Sequence, residues 1–147
     1  MYAGIVIILI MTLSGFTDAF RPVSSLRRSP GTLMMMAEVT KGVEFDTVAR
    51  EWRMKWSPDN DKASLASAQQ TLDVFAAQLK SIPGVKSVQR IVCGGCMDFK
   101  VITALDAEAY GAWEQRQFAP EAEFFSAIKA VPGLSQLEQQ TYTIMPV

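Results

Sequence analysis

The chain has 147 residues, a formal net charge of -1, 49% hydrophobic residues and no histidine. This balance fits one globular domain, and the missing histidine excludes His-based triads, His metal ligands and a proximal His for haem. No Lys/Arg run or helix-turn-helix segment is present, so nucleic acid is not an expected partner.

Gly4 to Leu13 is an apolar run of the length of a signal-peptide core and too short for a membrane span. Thr17-Asp18-Ala19 ends on a small residue, as signal peptidase prefers, although no Lys or Arg precedes the apolar run. A buried N-terminal helix is the alternative, but the run is neither capped nor amphipathic. Phe20 to Ala37 then holds Arg21, Arg27 and Arg28, the hydroxyl residues Ser24, Ser25, Ser29 and Thr32, and no acid, a transit-peptide composition. With Ala19-Phe20-Arg21-Pro22 at the junction, the segment resembles the bipartite presequence of algae with secondary, red-derived plastids. That resemblance implies delivery to the plastid stroma, with plain secretion as the alternative. The expected division is signal peptide 1–19, transit peptide 20–36, flexible leader 37–47 and folded domain 48–147. Removing residues 1–36 leaves 111 residues of net charge -3, enough to bury roughly 65% of the unfolded surface in one modest core.

From Val48 the pattern alternates. Val48, Trp52, Met54 and Trp56 fall on one face and Ala49, Glu51, Arg53 and Lys55 on the other, which predicts a half-buried strand. Ser57-Pro58-Asp59-Asn60-Asp61 is a turn and helix start. Leu65, Ala68, Leu72, Phe75, Leu79 and Ile82 then predict an amphipathic helix ended by Pro83-Gly84. Val85–Cys93 and Cys96–Leu105 predict a hairpin, with Gly94 and Gly95 as a two-residue turn of positive φ. Asp106 is the expected N-cap of a helix bearing Tyr110 and Trp113, and Pro120 the first position of another, with Phe124, Phe125, Ile128 and Val131 on its apolar side. Pro132-Gly133 ends that helix, and Gln136 to Met145 predicts a last, edge strand. The order is β-α-β-β-α-β, and the exits Ile82-Pro83-Gly84-Val85 and Val131-Pro132-Gly133-Leu134 match. Two copies of one β-α-β unit indicate an α+β ferredoxin-like sandwich, with an unrelated α+β layout as the alternative.

With Gly94-Gly95 at the turn, Cys93 should face Cys96, Val92 Met97, Arg90 Phe99 and Val88 Val101. One face then holds Val88, Val92, Met97, Phe99 and Val101 toward the helices. The other holds Gln89, Cys93, Cys96, Asp98 and Lys100, beside Glu51, Arg53 and Lys55. This second face is either a solvated sheet face or one that closes on a second copy around a small polar pocket.

Residues 82–110, from Ile82-Pro83-Gly84-Val85 through Gly95-Cys96-Met97-Asp98-Phe99-Lys100-Val101 to Asp106-Ala107-Glu108-Ala109-Tyr110, resemble the effector-binding domain of Lrp/AsnC-type regulators. More broadly, residues 48–147 resemble the dimeric α+β barrel superfamily, which includes small monooxygenases. The resemblance implies a homodimer. The chain has no DNA-binding domain, so transcriptional control is not implied. Cys96 stands at the first acidic position after the family's turn glycine, so amino-acid binding is not carried over. Glu114 to Ala122 reads as an insertion, and the catalytic histidine of some members has no counterpart.

Cys93-Gly94-Gly95-Cys96 admits four readings: half of a zinc site lacking two ligands, a thioredoxin-type site lacking a helix N-terminus, a hairpin disulfide, or two small turn residues. A bridge across a hydrogen-bonded pair, with Cα atoms about 5.5 Å apart, would suit a reducible stromal thiol pair better than a structural staple. Trp52, Trp56 and Phe99 are expected in the core, while Tyr110 and Trp113 are candidates for a pocket mouth.

The expected function is a non-catalytic plastid module that binds a small ligand or assembles with a partner, with no cofactor, no metal and no transmembrane segment in the mature chain. Arg53, Lys55 and Lys100 outnumber Glu51 and Asp98, so a small anionic metabolite is the expected ligand. The alternatives are a cofactor-independent oxygenase, a thiol-redox protein using Cys93 and Cys96, and a peripheral subunit docked on a plastid photosynthetic complex.

Overall fold

A computed structural model describes residues 36–147. The expected signal and transit peptides lie outside the described residues, apart from Met36.

Among the described residues, nine elements follow in order: β1 (Ala37–Thr40), β2 (Val43–Phe45), β3 (Thr47–Lys55), α1 (Asp59–Lys80), β4 (Val85–Val92), β5 (Asp98–Asp106), α2 (Ala107–Gln115), α3 (Glu121–Lys129) and β6 (Ser135–Ile144). A four-stranded antiparallel sheet has the order β4-β5-β3-β6. Strands β3 and β4 thus flank β5, and α1 connects them. Strands β5 and β6 flank β3, with α2 and α3 between them. This is the α+β ferredoxin-like sandwich expected from the repeated β-α-β unit.

The sheet presents Trp52, Met54, Phe99, Val101 and Leu105 to the helices, and all are buried. They meet Ala68, Leu72 and Leu79 of α1, Tyr110 and Trp113 of α2, and Phe124, Phe125 and Ile128 of α3. Trp52 stacks on Phe124 with ring centroids 4.6 Å apart, at the centre of the core. Trp52, Trp56 and Phe99 are core residues, as expected.

Both proline-glycine exits work as sharp stops. Gly84 has φ +80, and a Cβ there would lie 2.3 Å from the Cβ of Ala109. Its carbonyl accepts the N–H of Asp106 at 2.9 Å, tying the exit of α1 to the entry of α2. Gly133 repeats the conformation with φ +83 and would bring a Cβ within 3.2 Å of Ser64 Cβ. Glycine is required at both by backbone conformation, and at Gly84 by space as well.

Several expectations are corrected. Residues 37–47, expected as a flexible leader, contain the β1–β2 hairpin, with Ala37 opposite Phe45 and Gly42 N–H donating to Glu38 Oε1 at 2.6 Å. Phe45 packs against the core, which anchors the hairpin. Asp106 is the N-cap of α2, as expected, but makes no side-chain capping bond; Lys86 draws its carboxylate instead, with Nζ 3.1 Å from Oδ1. Pro120 occupies the position before α3 rather than its first turn.

The central hairpin is shifted by two residues. Val92 faces Phe99, Arg90 faces Val101 and Val88 faces Thr103. The turn is not confined to Gly94-Gly95. It spans Cys93–Met97, closed by the Cys93 N–H donating to the Asp98 carbonyl at 2.9 Å. Neither Gly94 nor Gly95 has positive φ; Met97 takes the left-handed conformation, φ 57. Met97 therefore belongs to the loop and is exposed, not part of the helix-covered face. Because side chains alternate with period two, a two-residue shift leaves the face assignments of the residues that remain within β4 and β5 intact.

Candidate functional site

The sheet face away from the helices carries Glu51, Arg53 and Lys55 on β3 and Asp98 and Lys100 on β5. Register joins them: Lys55 lies opposite Asp98, and Arg53 opposite Lys100. Lys55 Nζ sits 2.6 Å from Asp98 Oδ1, and Lys100 Nζ lies 3.5 Å from Glu51 Oε1 on the diagonal. The fifth charge finds its partner on the edge strand, where Arg53 pairs with Glu138 of β6. Tyr142, also on β6, donates its hydroxyl to Glu51 Oε2 at 3.1 Å.

The expected cluster is thus brought together, but Glu138 changes its balance. Three cations meet three carboxylates, so the excess of positive charge that suggested an anionic ligand is cancelled. The sixth expected residue, Gln89, lies on the same face on β4 opposite Ile102, and it joins none of these pairs among the described residues.

The two central carboxylates are well covered already: Glu51 is 5% and Asp98 7% exposed. The Lys55 ammonium, hydrogen-bonded to Asp98, holds that carboxyl below its usual range, with Arg53 and Lys100 adding to the effect. Burial, and the neighbouring Glu51 carboxylate, push the Tyr142 hydroxyl up to about 12. Around the charges sit Ile102 and Ala104 of β5, and the exposed Ile91 of β4 and Ile144 of β6.

At one end of this face, Cys93 and Cys96 form a disulfide with Cα atoms 5.5 Å apart. Cys96 is on the exposed loop, and its carbonyl accepts a hydrogen bond from Lys55 Nζ at 2.7 Å. The same lysine therefore holds both Asp98 and the loop. The cysteines do not extend the sheet face, as the shorter turn had predicted; they lie in the loop beyond it.

Tyr110 and Trp113 do not line a pocket mouth. They are 8% and 1% exposed and pack edge-on against each other and around Phe118, which the 114–122 segment folds back onto them. The Trp113 indole N–H donates to the carbonyl of Ala119 at 2.9 Å, fixing that segment.

Beneath the helices lies a polar cluster centred on Arg50, which the alternation pattern left unassigned. Arg50 Nε and Nη2 grip Glu121 of α3 at 2.7 and 2.8 Å, and Nη1 donates to Thr141 Oγ1 at 3.1 Å. Its guanidinium lies 4.2 Å from the centroid of the Phe118 ring. The Trp52 indole N–H donates to Glu121 Oε2 at 2.7 Å, and the hydroxyls of Tyr110 and Thr141 share a hydrogen bond at 2.6 Å. The even position of Arg50, between Val48 and Trp52, was the available signal. The glutamate hydrogen bond keeps the guanidinium more basic than usual despite partial burial.

No group of three or more Cys, Asp or Glu poised to hold a metal occurs among the described residues. No described helix is long and apolar enough to cross a membrane.

No protein-family model matches this chain, and no curated protein matches it. Among solved structures it is similar to a candidate antibiotic biosynthesis monooxygenase from Deinococcus radiodurans, with a TM-score of 0.53 and 16% identity over 68% of this chain and 94% of that one. It is also similar to a conserved protein from Methanosarcina mazei Go1, with a TM-score of 0.51 and 8% identity over 67% of this chain and 93% of that one. At these identities the likeness is one of fold, and the fold is α+β and ferredoxin-like.

Proposed function

We propose that the chain is a non-catalytic module of dimeric α+β barrel type, closing its open sheet face on a second copy and holding a small polar ligand or a larger partner. The observation that carries this reading is the open face itself. Four strands lie uncovered by helices, and their charges are already paired as Lys55–Asp98, Lys100–Glu51 and Arg53–Glu138. A second sheet can cover such a face without burying an unpaired charge, which is the costly case. Ile91, Ile102 and Ile144 supply apolar contact around the pairs. The stromal address rests on residues 1–36, and secretion is the alternative.

Native mass spectrometry on residues 37–147 tests the assembly. A dimer supports this reading, and retained extra mass would identify the ligand. A bare monomer would sink the self-pairing and point to a different protein, such as a plastid complex, as the occupant. Replacing Lys100 with Ala should weaken ligand retention while leaving the fold intact; unchanged retention would remove Lys100 from the ligand site.

A cofactor-independent oxygenase is the second reading. It is favoured by the Arg50–Glu121–Trp52 cluster among aromatic rings and by the fold likeness to the Deinococcus radiodurans protein. Such chemistry needs a substrate whose own carbanion reduces oxygen, so the test is oxygen uptake with electron-rich phenols. Uptake that disappears in Arg50→Gln would favour this reading; no uptake across the panel would count against it.

A further inference from the structure

On the helix-covered side of the sheet, a concavity of about 430 Å³ opens between α1 and the β4–β5 hairpin. Leu65 and Ala66 of α1, with Val92 and Phe99 of the hairpin, form its apolar wall, and Asp61, Lys62, Gln69 and Arg90 its polar rim. Val92 is 40% exposed, an apolar residue left open at this mouth.

The two cations on the rim differ from those of the open face. Neither Lys62 nor Arg90 pairs with an acid among the described residues, whereas Arg53, Lys55 and Lys100 of the open face all do. Arg90 is nonetheless positioned, because Nη1 donates to Gln69 Oε1 at 2.6 Å. That bond uses one donor of the planar fork and leaves the others for a ligand. Lys62 stands on a strained support: Asn60, Asp61 and Lys62 have φ of 51, 55 and 61, all left-handed and none glycine. Left-handed backbone at consecutive non-glycine residues is costly, and such strain clusters at ligand-holding sites.

We propose that this concavity binds a small monocarboxylate carrying an apolar body, its carboxylate held by Arg90 and Lys62 and its body laid on Leu65, Ala66 and Val92. An arginine fork matches a carboxylate in plane, and a lysine adds a second charge-assisted donor. Asp61 on the same rim disfavours a second negative charge, which selects a monoanion over a dianion. The site lies on the opposite side of the sheet from the paired charges, so it stands or falls independently of self-pairing.

The test titrates the full chain with naphthoate and with its neutral counterpart naphthalenemethanol, following heat of binding and backbone-amide chemical shifts. Naphthoate should bind at least about tenfold more tightly than the alcohol, since a charge-assisted hydrogen bond is worth about that factor. Shifts should move at Leu65, Gln69, Arg90 and Val92. Arg90→Gln should weaken naphthoate about tenfold, Lys62→Gln should weaken it less, and neither should alter the alcohol. Both side chains are exposed, so both variants are expected to fold; unchanged far-UV circular dichroism checks this. The proposal is overturned if naphthoate does not bind at millimolar concentration, if both variants bind it as the native chain does, or if the shifts move on the open face instead.

Discussion

Lys55 Nζ lies 2.6 Å from Asp98 Oδ1 and 2.7 Å from the carbonyl oxygen of Cys96, so one ammonium joins the paired sheet face to the disulfide loop. Lys55 and Asp98 are direct cross-strand partners, and Asp98 is the more buried of the two. Replacing Lys55 with Met should lower Tm by a few degrees, because a covered carboxylate loses its partner. Asp98 is depressed below 3.8, so its contribution is present above that value and fades as pH falls through the folded-state pKa. In Lys55→Met that acid loss should begin at higher pH. Tm measured between about pH 2 and 6 checks both effects, and identical acid limbs would show that Lys55 does not hold Asp98.

Arg50 and Glu121 should be costly to separate. Arg50→Ala leaves the Glu121 carboxylate, 15% exposed, with the Trp52 indole as its remaining side-chain donor. The expected loss is about 2–3 kcal/mol, less than for a fully enclosed pair. Glu121→Gln on top of Arg50→Ala should recover part of it, because the unpaired charge is gone. Urea unfolding of the four members of this cycle measures the coupling, and simple additivity would contradict it.

Gly84 carries two separable penalties. Gly84→Ala should destabilise by at least about 2 kcal/mol, from left-handed backbone at φ +80 and from the 2.3 Å approach to Ala109 Cβ. Adding Ala109→Gly should relieve the contact and leave about 1–2 kcal/mol of backbone cost. Full recovery would mean that space alone demands the glycine.

Tyr142 should titrate late. Its hydroxyl is pushed up to about 12 by burial and by Glu51, so the folded protein keeps this proton while the unfolded chain loses it near 10. Stability from this group is present below 10 and declines as pH rises toward 12. Phenolate absorbance should show a late-titrating component that shrinks in Tyr142→Phe, with Tyr110, which burial also raises, remaining. A Tyr142 titrating near 10 would contradict the hydrogen bond to Glu51.

Alternation over residues 48–56, the five apolar positions of α1 with Ile82 after them, and the matched Pro-Gly exits make the layers, the element order and the open face legible in the sequence. These are local, periodic properties, and each follows from which side chains can share a face. The sequence places the hairpin register two residues short, yet Glu51, Arg53, Lys55, Asp98 and Lys100 still fall on one face, because a strand repeats every two residues. Nothing local revealed that Met97, not the Gly-Gly pair, would take the left-handed position.

Long-range pairing decided the rest. Glu138 balances the open face only because β6 docks beside β3, with the register slipping between Arg53 and Lys55. Arg50, which the alternation pattern leaves unassigned, finds its partner only because α3 places Glu121 against it, 71 residues away. Tyr110 and Trp113 became core because the 114–122 segment folds Phe118 back over them. Periodicity specifies which face a side chain occupies; which charge it meets there depends on chain closure between distant strands and helices, and only the folded molecule contains that information.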